Sequence, residues 1–346
     1  MGAIVCRDAE RVKVGRAQEP GGAPDASSVC CALLTGAAPC RVRIEVPTAF
    51  GDGCMTPANF ALLLLLAAIW GGSFLFMRIG APVLGPAWLI LFRVGIAALF
   101  LGACALWRRT PLQIGRYWRH YLVLGLLNSA LPFFLIAYAA QSLSASLLSV
   151  VNSSSPIFAA LISAVWLRTR ITPVRALGLA LGVAGVVVLV QGGIGAKTDD
   201  WVPAVAAALL STVWYGVAGT YVKSSKLSVD PFCNAHGSMW AATFFISLAL
   251  PFCPPASMPT PGVWSAVAGL GVLCTGVAYL IYFRLIRDVG PMSALSVTFL
   301  IPVFGILWGV VFLGEQLTAG MAGGALVIFA GTALANGIWP RPSRSS

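Results

Sequence analysis

Charge is what this sequence has least of. Of 346 residues only 10% are charged against 58% hydrophobic, and the mean hydropathy is +0.88. Soluble domains carry roughly 25% charged residues, so a water-soluble globule of this length would lack polar surface. Acid is scarcer than base, and beyond residue 54 it is confined to Asp199, Asp200, Asp230, Asp288 and Glu315, all at the ends of apolar runs or in loops. A carboxylate relay through the middle of the molecule is therefore not expected. No HExxH or GxxxxGK[ST] pattern occurs, which removes a zinc protease and direct drive by ATP. Nine cysteines make no CxxC pair, and Cys104, Cys233, Cys253 and Cys274 sit mostly inside apolar segments, so a zinc site or disulfide framework is unsupported. No cofactor or metal is expected. Basic patches interleaved with aromatics are missing too, so no nucleic-acid partner is expected.

What the chain does have is apolar runs of about 20 residues, the length needed to cross roughly 30 Å of hydrocarbon. Ten fit, at 58–77, 86–107, 120–140, 143–167, 173–193, 201–222, 231–252, 262–283, 290–313 and 318–339. They are continuous rather than alternating, which argues for helices and against a β-barrel. The fold class expected is an all-α integral membrane protein whose partner is the lipid bilayer. Basic residues set its orientation. Loops after even-numbered spans and the tail hold thirteen (Arg108, Arg109, Arg116, Arg119, Arg168, Arg170, Arg175, Lys223, Lys226, Arg284, Arg287, Arg341 and Arg344), against Arg78 and Lys197 on the other side. Positive charge marks cytoplasmic loops, which puts both termini in the cytoplasm.

The same pattern runs through the chain twice. Trp70-Gly71-Gly72 recurs as Trp214-Tyr215-Gly216 at a shift of 144. Leu124-Gly125-Leu126-Leu127 recurs as Leu270-Gly271-Val272-Leu273 at 146, as do Pro156, Phe158, Leu167, Thr172, Gly178 and Gly185 as Pro302, Phe304, Leu313, Thr318, Gly324 and Gly331. Five spans per copy is an odd number, so the second copy, residues 196–339, enters the membrane opposite to the first, residues 55–195. Inverted repeats of this kind build secondary transporters that bind cargo between the halves. Residues 1–54 have no span and no signal-peptide core. They read as a disordered or mis-assigned extension, with Met55 as the start of the protein and residues 340–346 as a cytoplasmic tail.

Ala68-Ile69-Trp70-Gly71-Gly72-Ser73-Phe74, Arg93, Gly290-Pro291 through Leu295 and Pro302, and Leu313-Gly314-Glu315-Gln316-Leu317-Thr318 resemble the EamA-type transporters of the drug/metabolite transporter superfamily. The resemblance covers residues 55–339 and implies a ten-helix inner-membrane carrier of small metabolites, often an exporter. The first half departs from it, reading Leu167-Arg168-Thr169 where the second reads Leu313-Gly314-Glu315, so a symmetric carboxylate pair is missing.

Polar groups inside a bilayer are costly and mark functional sites. Asn152-Ser153-Ser154-Ser155 precede Pro156 midway along the fourth span, either lining a cavity or bonding back to their own helix. Arg93 either binds a cargo carboxylate or phosphate, or snorkels to the outer surface or caps backbone carbonyls near the helix start. His236, in roughly the matching place of the seventh span, either couples cargo to protons or packs. Asn128, Tyr279 and Tyr282 are further candidates, and Trp70, Trp214 and Tyr215 offer rings as cavity walls. Gly178-x-x-x-Gly182 and Gly320-x-x-x-Gly324 let helices approach, within the chain or in a homodimer. The function expected is transport of a small-molecule substrate, an amino acid or similar, by alternating access, with coupling absent or through His236 or Glu315. The rivals are a lipid flippase of the same fold and an intramembrane enzyme, for which no catalytic constellation exists.

Overall fold

The computed structural model describes residues 56–168, 172–192, 200–225, 227–253 and 257–336. Residues 1–54, Met55 and the 340–346 tail lie outside the described residues, as do Arg170, Lys197, Lys226, Arg341 and Arg344 of the orientation argument. Among the described residues every regular element is helical. In chain order these are α1 (Pro57–Arg108), α2 (Ile114–Gly125), α3 (Leu131–Ala139), α4 (Ala145–Asn152), α5 (Ser155–Trp166), α6 (Pro173–Gly192), α7 (Trp201–Ser225), α8 (Pro231–Ala249), α9 (Pro261–Ala268), α10 (Ala278–Leu295), α11 (Val297–Leu313) and α12 (Ala319–Asn336). Six stretches are long and apolar enough to cross a membrane, and α6 and α12 contribute shorter apolar helices.

Some of these stretches join or split the expected spans for local reasons. The 52 residues of α1 would be about 78 Å long if straight, more than twice the hydrocarbon thickness. They break at Gly85 (φ 75°, ψ 163°). Only glycine takes that φ without strain, and the following Pro86 pushes its neighbour out of the helical region. The same Gly-Pro device breaks α10 at Gly290 (φ 82°, ψ 162°), ahead of Pro291. Elsewhere short polar residues start the helices. Thr56, Ser144 and Asp230 each accept a first-turn N–H, of Asn59, Leu147 and both Phe232 and Cys233 respectively. Two wider π-helical turns, Leu126–Ala130 and Gly269–Val277, join α2 to α3 and α9 to α10. They fall at matching places of the sequence recurrence.

Close packing follows the recurrence. A Cβ on Gly178 would meet Gly331 O and Ala335 N, and one on Gly331 would meet Gly178 O. The matching pair, Gly185 and Gly324, faces Ile328 and Leu189 in the same reciprocal way, so α6 and α12 lie backbone to backbone. This is the first of the two uses expected for the small-residue spacing. Gly125 packs on Ser238 O and Ala241 of α8, whereas Gly271 packs on Arg93 O and Ile96 of α1. Gly71 meets Gly305 of α11, and Gly216 meets Ala159 of α5. In every case a helix of one half seats against the other half.

Those contacts also correct two sequence registers. They match Gly71 with Gly216, so Trp70 pairs with Tyr215 rather than with Trp214. They match Arg93 with Ser238, two residues past His236. One residue is about 100° around a helix, enough to turn a side chain away from a cavity. Large apolar side chains such as Leu99, Leu106, Trp107, Val165 and Phe312 cover the outside.

Candidate functional site

A cavity of about 350 Å³ lies where α1, α3, α7, α10 and α11 meet the two π turns and the break between α4 and α5. Eight of the twelve candidate residues line it: Trp70, Arg93, Asn128, Asn152, Ser155, Tyr215, Tyr279 and Tyr282. Ser73, Phe74, Met77, Phe133, Ile136, Cys274, Thr275, Leu295, Val297, Thr298 and Ile301 complete the lining. Many of these fall into matched positions. Trp70 and Tyr215, Asn128 and Cys274, Phe133 and Tyr279, Ile136 and Tyr282, Asn152 and Thr298, and Ser155 and Ile301 are the same places in the two copies. A pocket that opened at random between helices would not collect equivalent positions six times.

Arg93 is the only charged residue of the lining and is 5% exposed. Its Nε donates to Thr275 Oγ1 at 3.2 Å, its Nη1 approaches Met77 Sδ at 3.5 Å, and its guanidinium lies 3.7 Å above the Phe133 ring. Thr275 in turn donates to Leu270 O. Among the described residues no carboxylate forms an ion pair with Arg93. A guanidinium has five N–H donors, and the two contacts above leave most of them unused beside the cavity. Tyr215, Tyr279 and Cys274 are close enough to feel its charge. Stacking on the Phe133 ring and the hydrogen bond to Thr275 hold the guanidinium in place at the cavity wall. Arg93 is thus held by side chains, Thr275, Met77 and Phe133, rather than by the backbone carbonyls or the outer surface, and it lines the cavity.

The second polar element is Asn152. Its Oδ1 is buried without a hydrogen-bond partner among the described residues. An unpaired buried acceptor costs about 1–3 kcal/mol, and on the cavity wall this oxygen can accept a hydrogen bond from a donor inside the cavity. The backbone around it explains how it is presented. Pro156 lacks the N–H that would bond Asn152 O in a continuous helix, and the ladder opens between α4 and α5. Ser155 Oγ takes that place by donating to Asn152 O, while Ser153 and Ser154 donate to Val150 O and Val151 O. Ser153 and Ser154 thus serve the helix and do not line the cavity, whereas Ser155 does both.

Rings form the remaining walls. The Trp70 and Tyr282 ring centroids are 5.3 Å apart, Tyr215 sits edge-on to Phe133 at 6.5 Å, and Asn128 and Tyr279 line the same cavity. Trp214, one residue out of register, does not line the cavity. Neither does His236, which is buried in α8 with its Nε2 accepting the Trp240 indole N–H at 2.9 Å. An indole nitrogen only donates, so that ring nitrogen is occupied as an acceptor. Cys233 approaches Pro111 O, and among the described residues no cluster of three metal-ligating side chains occurs. Sequence reasoning does not single out Cys274, Thr298 and Phe133, although the recurrence maps them onto the candidates Asn128, Asn152 and Tyr279, whereas Thr275 maps onto Ser129 and has no such signal.

Comparison with known proteins agrees with this geometry. The EamA-like transporter family matches the chain twice, over residues 59–191 and 202–337. The uncharacterized transporter YvbV of Bacillus subtilis is 28% identical over 80% of this chain and 90% of its own length. A probable terminal-alkyne amino-acid exporter of Streptantibioticus cattleyicolor is 27% identical over 79% and 92%, and the uncharacterized inner membrane transporter YedA of Escherichia coli is 26% identical over 75% and 84%. One solved crystal structure, 21% identical, superposes with a TM-score of 0.58 over 81% of this chain and 97% of that one, which supports the fold. Twice-matched, helical, apolar on its outside and built around a cavity, this multi-pass membrane chain belongs to the EamA-like transporter family of the drug/metabolite transporter superfamily.

Proposed function

We propose that the chain is a secondary transporter that moves a small metabolite, an amino acid or a molecule of like size, outward across the inner membrane. Ten spans form two inverted five-helix halves, residues 55–195 and 196–339, with both termini cytoplasmic. The halves rock about the cavity to expose it to each side in turn. The observation that carries this reading is the cavity wall itself, in which six positions of one half are matched by their six equivalents in the other. Such a wall is what alternating access about a pseudo-twofold needs.

The lining suits a cargo with an anionic end and an N–H donor. Arg93 offers a forked cation to a carboxylate, Asn152 Oδ1 offers an unused acceptor, and Trp70, Tyr215, Tyr279 and Tyr282 enclose an apolar body. Asn128 and Ser155 complete the contact set. Ser153, Ser154, Trp214 and His236 are not among the lining residues. A relative named as a probable amino-acid exporter supports both the cargo class and the direction.

The test is reconstitution of the purified chain in liposomes loaded in turn with labelled amino acids, nucleosides, sugars and amines. At least one amino acid is expected to leave faster than from protein-free liposomes, and unlabelled cargo outside is expected to accelerate its exchange. No cargo moving above the protein-free rate overturns the proposal.

A further inference from the structure

Glu315 takes no part in the cavity wall, yet it ties the two halves together. Its carboxylate accepts the Ala145 N–H at 2.7 Å, the Ser146 N–H at 2.9 Å and the Ser146 hydroxyl at 2.6 Å. Those N–H groups open α4 and have no partner inside the helix, and a helix N-terminus favours negative charge. The Glu315 backbone lies just past Leu313 and closes the end of α11, its own N–H donating to Gly309 O. One residue therefore holds the end of α11 with its main chain and the start of α4 with its side chain.

The same two helices stay in contact for about two turns beyond the clasp. A Cβ on Gly309 would strike Ser146 Oγ and the Glu315 carboxylate, and one on Gly305 would strike Ser149. Further along, Asn152 and Ser155 on one side and Thr298 and Ile301 on the other line the cavity. The α4–α11 seam is thus closed at the Glu315 end of the bundle, and the cavity begins where it stops. The sequence does not repeat this acid and donor in the other half. The positions equivalent to Glu315 and Ala145 are Thr169 and Pro291, one without charge and the other without an N–H.

We propose that Glu315 is a latch that keeps one entrance of the cavity shut and must release α4 before the cavity opens at that end. The proposal rests on the carrier reading, because only a protein that alternates between two entrances needs to hold one of them closed. Charge-assisted bonds to a helix start are short, directional and made or broken together, which suits a contact that separates as a unit. The absence of an equivalent acid and donor at Thr169 and Pro291 makes the two entrances unequal, so the form closed at Glu315 is the resting one.

Cys274 lines the cavity and serves as the reporter. In the full chain, Cys6, Cys30, Cys31, Cys40, Cys54, Cys104, Cys233 and Cys253 are replaced by alanine. The protein is placed in sealed vesicles of both orientations and exposed to a membrane-impermeant methanethiosulfonate. With Glu315 intact, Cys274 is expected to react from the opposite face and only slowly from the Glu315 face. Glu315→Gln puts an amide donor against the α4 donors and is expected to raise the slow rate about tenfold. Ala145→Pro copies the second half's Pro291 at a first-turn position where proline is tolerated, and is expected to raise it about threefold. An unchanged rate from the Glu315 face in either folded variant overturns the latch. Because labelling needs no cargo, this failure is distinct from that of the carrier reading, which shows as wild-type liposomes that move no cargo.

Discussion

Facing the cavity, the first half presents Arg93, Asn128, Asn152 and Ser155, while the matching places in the second half hold Ser238, Cys274, Thr298 and Ile301. The second half answers with hydroxylated rings, Tyr279 and Tyr282, where the first has Phe133 and Ile136. Backbone contacts do not share this divergence. The glycine pairs that seat α6 on α12, and the glycines that seat each π turn on the other half, recur with the same reciprocal geometry. Close backbone approach tolerates no extra atoms, so both copies keep it. A cavity wall has no such constraint, and each copy carries a different part of the chemistry. Even a single contact shows the division: Thr275 accepts from Arg93, whereas its equivalent Ser129 has a buried hydroxyl with no partner among the described residues. Ser238, in the place of Arg93, is spent on Ala235 O.

The comparison can be broken most decisively at Arg93. Arg93→Met removes the only charge of the wall and is expected to lower kcat/KM for transport at least about 30-fold, since truncating one partner of a buried charge pair costs about 2–5 kcal/mol. Arg93→Lys is not expected to restore it, because a point charge lacks the fork. Retention of transport by Arg93→Met would leave the wall without a polar anchor. The scaffold side of the comparison is tested by Gly178→Val and Gly324→Val. Each forces new atoms onto a backbone under 3 Å away and is expected to cost about 1–3 kcal/mol of stability. Thermal unfolding in detergent should fall by a similar amount for both, and a neutral result for one alone would deny their equivalence.

Making the halves alike at Asn152 tests the orphan acceptor. Asn152→Thr copies Thr298 and is expected to raise KM about tenfold, the worth of one hydrogen bond to a charged donor, with no loss of folded protein because Oδ1 has no internal partner to lose. The smallest effect is expected at Arg168, which adopts φ 51° where the second half has Gly314 at φ 64°. Arg168→Gly relieves a left-handed residue and is expected to raise the thermal midpoint by about 1–3 °C. A lower midpoint would mean that Arg168 makes a contact worth more than the strain.

Much of this was legible in the sequence, and the parts that were not share a cause. Membrane-length runs, the recurrence and the Gly-x-x-x-Gly faces depend on composition and spacing, which a sequence displays directly. Register does not. The Trp-x-Gly recurrence aligns Trp70 with Trp214, but the packing of Gly71 and Gly216 fixes the match one residue later, at Tyr215. The serines before Pro156 looked equivalent, yet the break between α4 and α5 turns Asn152 and Ser155 toward the cavity and leaves Ser153 and Ser154 to their own carbonyls. His236 was singled out for its chemistry, although its position pairs it with Trp240. In the sequence Glu315 stands out as an acid at a span end, within the Leu313–Thr318 motif, and as a candidate coupling group, but its contacts do not show. Its partners, Ala145 and Ser146, are far along the chain, and no local pattern announces a helix cap supplied from the other half.

The central claim is that both halves hold one cargo in one cavity, and side-by-side exchange assays of Asn152→Ala and Tyr282→Ala in liposomes test it most directly. With the amino acid that wild type moves, both variants are expected to exchange it at least about fivefold more slowly at limiting cargo, the effect of losing roughly 1 kcal/mol of contact, with folded yield unchanged. If only one of the two slows exchange while the other matches wild type, the cargo is held by one half alone and the shared cavity is not its site.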